Sequence, residues 1–137
     1  MKTIYLKSNN REEFINITVQ VADFVRECCV KENGVLFLYV PHTTAAITIN
    51  ESADPDVAKD IKVFLNKLVP KNHSYSHLEG NSDAHIKSSL FGCSKEVFVE
   101  KGNLVLGTWQ GIFFCEFDGP RNRQVYIKFI NSDEETL

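Results

Sequence analysis

The chain has 137 residues, 43% of them hydrophobic and 24% charged, and carries a formal charge of −3. A single domain of that length buries roughly two-thirds of the surface its unfolded chain exposes, so disulfides are not needed to hold it. Three of its 18 acids, Asp133, Glu134 and Glu135, lie in the last five residues; the other 15 match the 15 lysines and arginines, and a neutral body with no basic stripe argues against nucleic acid as a main partner.

The N-terminus, Met1 to Lys7, has no long apolar core and no cleavage site, so no signal peptide is expected. No apolar run approaches the ~20 residues that a membrane helix needs. Cys28 and Cys29 are adjacent, Cys93 and Cys115 are distant, and there is no C-x-x-C pair. The cysteines therefore read as reduced packing residues of a cytoplasmic protein.

Taken in chain order, Thr3 to Ser8 is predicted as a first strand, Asn9-Asn10 as a turn, and Glu13 to Ile17 as the returning strand. Thr18 is a candidate N-cap for a helix to about Glu32, with Val21, Phe24, Val25, Cys28 and Cys29 on one face and Asn33-Gly34 as its stop. Val35 to Val40 is a continuous apolar run and is predicted as a central strand buried on both faces. Pro41 cannot donate to a ladder, so strand pairing should change there. Strand character resumes from Ala45 to Asn50.

Asp54-Pro55-Asp56 starts the most strongly marked helix, with Asp at the cap and Pro at the first helical position. Val57, Ile61, Phe64, Leu65 and Leu68 form its stripe, and Pro70 marks its end. After a polar connection from Lys71 to Gly80, Asn81 or Ser82 caps a third helix from Asp83 to Phe91, with Gly92 as its stop. Three strands follow, Lys95 to Val99, Gly111 to Phe117 and Gln124 to Ile130, separated by turns at Gly102-Asn103 and Asp118-Gly119-Pro120. The expected fold is a single compact α+β domain spanning 1–137, with a mixed β-sheet, about three helices, and a frayed acidic tail over 131–137.

Three histidines carry the chemical signal. His42 stands at a strand end, while His77 and His85 bracket one polar run. His85 falls in the first turn of the third helix, where free amides and the positive dipole end favour a neutral imidazole, the form that binds metals. Three nitrogen ligands with one open position is the layout of a catalytic zinc site, although imidazole also suits nickel, copper and iron. The alternatives are a strand-end His42 bonded to the backbone, an exposed His77 and a helix-cap His85. Glu79, for which no capping role offers itself, is the candidate general acid–base; Asp83 can fix a ligand tautomer or stabilise the helix start. Asn81, Ser82 and Lys87 near the helix start, and Arg121 in the turn 118–123, are candidate holders of a phosphorylated substrate.

The stretches PHTTAAITINE (41–51), ADPDV (53–57), HLEGNSDAHIK (77–87), GTWQG (107–111) and CEFDGPR (115–121) together closely resemble the YjbQ-like family, often labelled secondary thiamine-phosphate synthase. The resemblance covers about residues 3 to 130. It implies a compact α+β fold, a homotrimer, and a metal-associated cluster at His42, His77 and His85. It also implies an activity that joins a hydroxymethylpyrimidine diphosphate to a thiazole phosphate with release of pyrophosphate. The divalent metal expected is zinc, or magnesium in company with a diphosphate. The alternative functions are a metal-dependent hydrolase of a small phosphorylated or ester substrate, and a non-catalytic metal-binding trimer.

Overall fold

The computed structural model describes residues 1–132. The elements run β1 (Lys2–Lys7), β2 (Glu13–Asn16), α1 (Thr18–Cys28), β3 (Gly34–Tyr39), β4 (Ala45–Glu51), α2 (Pro55–Leu68), α3 (Ser82–Phe91), β5 (Ser94–Glu100), β6 (Asn103–Leu104), β7 (Gln110–Glu116) and β8 (Asn122–Asn131). They form one α+β domain with three helices, as the sequence predicts. The expected mixed sheet is instead two sheets, ordered β1-β8-β3-β5-β6 and β2-β7-β4, and every strand pair is antiparallel. The reason lies in the helices. α1 leads from β2 in the small sheet to β3 in the large one, and α2 with α3 leads from β4 to β5 in the same sense. A parallel pair needs a crossover that returns to the sheet it left, and neither helical connection does so.

The same switch of sheets corrects the predicted hairpin of β1 and β2. Ser8 is fully buried, and its amide donates to the Arg121 carbonyl at 3.0 Å. The chain then turns away to pair β2 with β7.

Strand burial follows from the layering. β7 is the strand buried on both faces: Ile112 and Phe114 join α1 and the inner face of the large sheet, while Phe113 and Cys115, with Phe117 just past the strand end, pack with Leu65 and Ala84 beneath α2 and α3. β3 alternates instead. Leu36 and Leu38 are fully buried, but Phe37 and Tyr39 are 42% and 49% exposed, because no layer among the described residues covers the outer face of the large sheet.

At the start of α1, Ile17 rather than Thr18 occupies the N-cap position, and the Thr18 amide donates to Asn16 Oδ1 at 3.0 Å. Thr18 Oγ1 instead accepts from the Ile112 amide at 2.8 Å, fastening the helix to β7. α1 ends at Cys28, earlier than predicted, and Cys28 and Cys29 are joined as a vicinal disulfide rather than reduced. Gly34 is not the helix stop; it opens β3, where a Cβ would collide with the Ile130 carbonyl oxygen. α2 matches its signals: Asp54 Oδ1 accepts from the Asp56 amide at 2.9 Å, with Pro55 at the first helical position. Phe64 and Leu68 of its stripe are nevertheless exposed.

The short β6 folds back on β5 after Gly102 (φ 76°) and lies where only a turn was predicted. Of the predicted frayed tail, Asn131 ends β8 paired with Gly34, and the Ser132 amide donates to the Asn33 carbonyl at 2.9 Å; residues 133–137 lie outside those described.

Candidate active site

Pro41 creates the opening in which the site lies. β3 and β8 pair as far as Tyr39 and Tyr126, and then β3 leaves the sheet. The next amide of β8 on that side, Gln124 N–H, would be orphaned; the His42 imidazole takes it at Nε2, at 2.9 Å. A nitrogen that accepts an amide proton is unprotonated, so the neutral ring carries its proton on Nδ1. Burial, then the nearby charge of Arg123, push the His42 pKa below its ordinary value, outweighing Glu116.

Beyond Pro41 lies a polar cavity of about 670 Å³ lined by His42, Glu79, Asn81, His85, Asp118 and Arg121, with Arg123, Thr44, Tyr39 and Cys93 also in its wall. Three segments converge there: the loop after β3, the start of α3, and the turn between β7 and β8. Ser88 Oγ, one turn past His85, donates to the Thr43 carbonyl at 2.5 Å and ties the first two together. The third is tied by Asn81 Nδ2, which donates to Asp118 Oδ2 at 2.9 Å. Arg121 Nη2 donates to the same carboxylate oxygen at 3.0 Å, with its side chain half-exposed at the rim. The Asn81 Oδ1 atom is buried without a hydrogen-bond partner. A buried carbonyl left in that state is costly, so it suits a donor arriving with a ligand.

His77 lies outside the cavity wall but packs edge-on against His85, with ring centroids 5.4 Å apart. Its Nε2 is 3.5 Å from Glu79 Oε2. The fit of a metal to the predicted triad is therefore partial. His77 and His85 are neighbours, but His42 spends its Nε2 lone pair on Gln124. Among the described residues, no three His, Cys, Asp or Glu side chains are grouped closely enough to hold one ion.

The profile of the family described as "UPF0047 protein YjbQ-like" matches residues 2–132. The chain belongs to this family. Among its relatives, a UPF0047 protein of Methanocaldococcus jannaschii is 58% identical over 125 residues, covering 91% of this chain and 90% of that protein. The UPF0047 protein YugU of Bacillus subtilis is 51% identical over 131 residues, covering 95% and 98%. A crystal structure of a YjbQ/UPF0047 protein from Clostridium acetobutylicum superposes with a TM-score of 0.91 at 53% identity, covering 95% of this chain and all of that one. A conserved hypothetical protein of Thermus thermophilus superposes at 0.88 with 40% identity, again covering 95% and 100%. No helix among the described residues of this YjbQ-like chain is long and apolar enough to cross a membrane.

Of the predicted site residues, His42, Glu79, Asn81, His85 and Arg121 share the cavity, and Ser82 begins α3 beside it. Asp83 and Lys87 do not reach it. Both side chains are fully buried, on the side of α3 that faces β2 and α2. Asp83 takes both arms of Arg11, at 2.9 and 3.1 Å. Lys87 Nζ donates to Glu12, Asn66 and Asp83 at 3.1, 2.5 and 3.3 Å. Burial raises the Asp83 pKa, but Arg11 and Lys87 outweigh it and hold the carboxyl below its ordinary value. These two residues secure the helix that presents His85; they are not placed to touch a substrate.

Arg123 and Asp118 belong to the site without having been singled out for it; the signal was the turn DGPRNR (118–123) itself. Arg123 is 5% exposed, and its guanidinium spans Glu116 (2.8 and 2.5 Å) and Thr44 Oγ1 (2.8 Å). Glu116 also accepts from Ser8 Oγ at 2.8 Å and from the Asp118 amide at 3.0 Å. Burial raises its pKa, yet Arg123 and these hydrogen bonds bring it below the ordinary 4.5. A carboxyl whose folded pKa is depressed contributes stability that is full above its unfolded pKa and lost as the pH falls through the folded one. The urea midpoint should therefore fall as the pH drops below 4.5, and the fall should be shallower in Glu116→Gln, as followed by circular dichroism.

Proposed function

We propose that this YjbQ-like protein is an enzyme acting on a small phosphorylated substrate, with formation of thiamine phosphate and release of pyrophosphate as its named reaction. The observation that carries this reading is one cavity in which an arginine, a carboxylate and two imidazoles face each other. Arg121 offers guanidinium donors whose geometry matches phosphate oxygens. Glu79 and His85 are the general acid–base pair. His42, fixed as the Nδ1–H tautomer by Gln124, is a donor toward the anion, and Asn81 Oδ1 accepts from a donor elsewhere on the substrate. In this reading Ser82 supplies a hydroxyl at the start of α3, while Asp83 and Lys87 act only by securing that helix.

A second reading, a metal-dependent hydrolase, is favoured by the His77–His85 ring pair with Glu79 beside it. A zinc ion there would supply a Lewis acid and an acidified water; magnesium would need more oxygen ligands than the pair offers. A homotrimer and a cytoplasmic setting complete the proposal. Phe98 and Ile130, 66% and 50% exposed, flank Val35 in register on the uncovered face of the large sheet. That patch suits burial against another subunit, and it would serve equally a non-catalytic metal-binding trimer.

The test is incubation of the purified protein with the pyrimidine diphosphate and the thiazole phosphate, with and without chelator, scored for thiamine phosphate and pyrophosphate. Product that persists in chelator is the expected result. Product lost on chelation and restored by zinc moves the ion into the mechanism, and no product under any condition rejects the synthase reading.

A further inference from the structure

A second cavity of about 440 Å³ opens on the other side of His42. Its walls are built by the register of β1 on β8, which sets Tyr5 opposite Gln124 and Lys7 opposite Asn122. Residues two apart on a strand share a face, and directly opposed residues stand about 5 Å apart at Cβ. The four side chains therefore form a square on the outer face of the sheet, at the end where β3 has left it. Tyr5 is 76% exposed, so its ring is open to a small molecule. His42 and Arg123 line this cavity as well as the first. The two compartments thus meet at one imidazole and one buried guanidinium.

We propose that the second compartment is a binding site for a second small molecule, an aromatic or heteroaromatic ring bearing an anionic group. The ring lies against Tyr5, where aromatic faces attract beyond simple burial. The anion is drawn to the Lys7 ammonium. Gln124 and Asn122 supply amide donors and acceptors for ring heteroatoms. This inference rests on reading the first cavity as the phosphate site and deepens it: a hydrolase needs one organic pocket and water, whereas a transferase must hold two organic molecules at once. Two pockets sharing the His42–Arg123 wall meet that requirement.

The experiment follows backbone amides by nuclear magnetic resonance while the whole protein is titrated with two probes, inorganic pyrophosphate and phenyl phosphate. Pyrophosphate should shift amides around Asn81, His85 and Arg121. Phenyl phosphate should also shift those of Tyr5, Lys7 and Gln124, and should still do so when pyrophosphate is saturating. Tyr5→Ala and Lys7→Ala, both exposed and safe for folding, should each weaken the second set by about tenfold, a typical effect of losing one stacking or charge-assisted contact, and leave the pyrophosphate response intact. Phenyl phosphate shifts confined to the first cavity, or unaffected by both substitutions, would overturn the proposal. Loss of the pyrophosphate response alone, with the Tyr5 shifts preserved, would instead remove the first-cavity reading.

Discussion

Asp83→Ala is expected to destabilise the protein by about 3–5 kcal/mol, the usual cost of removing one partner from a buried ion pair. Asp83 and Lys87 are fully buried, and the carboxylate is what holds the Arg11 guanidinium and helps hold the Lys87 ammonium. Without it, the Arg11 guanidinium loses both of its hydrogen bonds and the buried Lys87 ammonium keeps only Glu12 and Asn66. A domain of this size has a total stability of about 5–15 kcal/mol, so the loss would be a large part of the whole. Three further variants separate charge from shape. Asp83→Asn keeps an acceptor and should lose less. Lys87→Met replaces the buried ammonium by an apolar chain of similar length and leaves the Arg11–Asp83 pair whole, so it should cost less than Lys87→Ala. Urea denaturation of the four variants, followed by circular dichroism, gives this order or refutes it.

His85→Ala is expected to lower the rate of thiamine phosphate formation by about 10²–10⁴-fold, the range spanned by loss of a general acid–base group. The ring lies half-buried in the cavity wall and packs on His77 rather than on the core, so thermal stability should stay close to wild type. A purely structural role predicts the reverse, a lowered melting temperature with turnover intact. Glu79→Gln should also slow the reaction, since an amide cannot accept and return the proton as a carboxylate does. Steady-state rates measured for the two variants and the wild type discriminate these outcomes.

Where local chemistry decides the outcome, the sequence was sufficient. Asp54-Pro55 starts α2 as predicted, because a side-chain acceptor and a ring without an N–H satisfy a helix start on their own. Gly92 ends α3 for a reason equally local. Long-range layering was not legible. The apolar run of β3 looks like that of a strand covered on both sides, yet Phe37 and Tyr39 point outward; the strand covered on both sides is β7. Which strand is sandwiched depends on where two helices dock, and no window of residues records that.

The site shows the same division. That His42, Glu79, Asn81, His85 and Arg121 share one cavity was foreshadowed by clustering of polar residues at element ends. That Asp83 and Lys87 face the interior was not, because their partners, Arg11, Glu12 and Asn66, come from segments far away in the chain. Lysine near a helix start reads as a phosphate ligand until a buried carboxylate is found beside it. The sequence leaves His42 open between a metal ligand and a backbone-bonded strand end. Its bond is to the backbone, with the Gln124 amide donating to Nε2.

Calorimetric titration of inorganic pyrophosphate into the wild-type protein and Arg121→Ala tests most directly whether the cavity between these turns receives phosphate groups. Saturable one-site binding to the wild type, weakened about 10- to 100-fold in the variant as expected for one lost charge-assisted contact, is the predicted result. Absence of binding to the wild type, or an affinity that does not change when the guanidinium is removed, would contradict it.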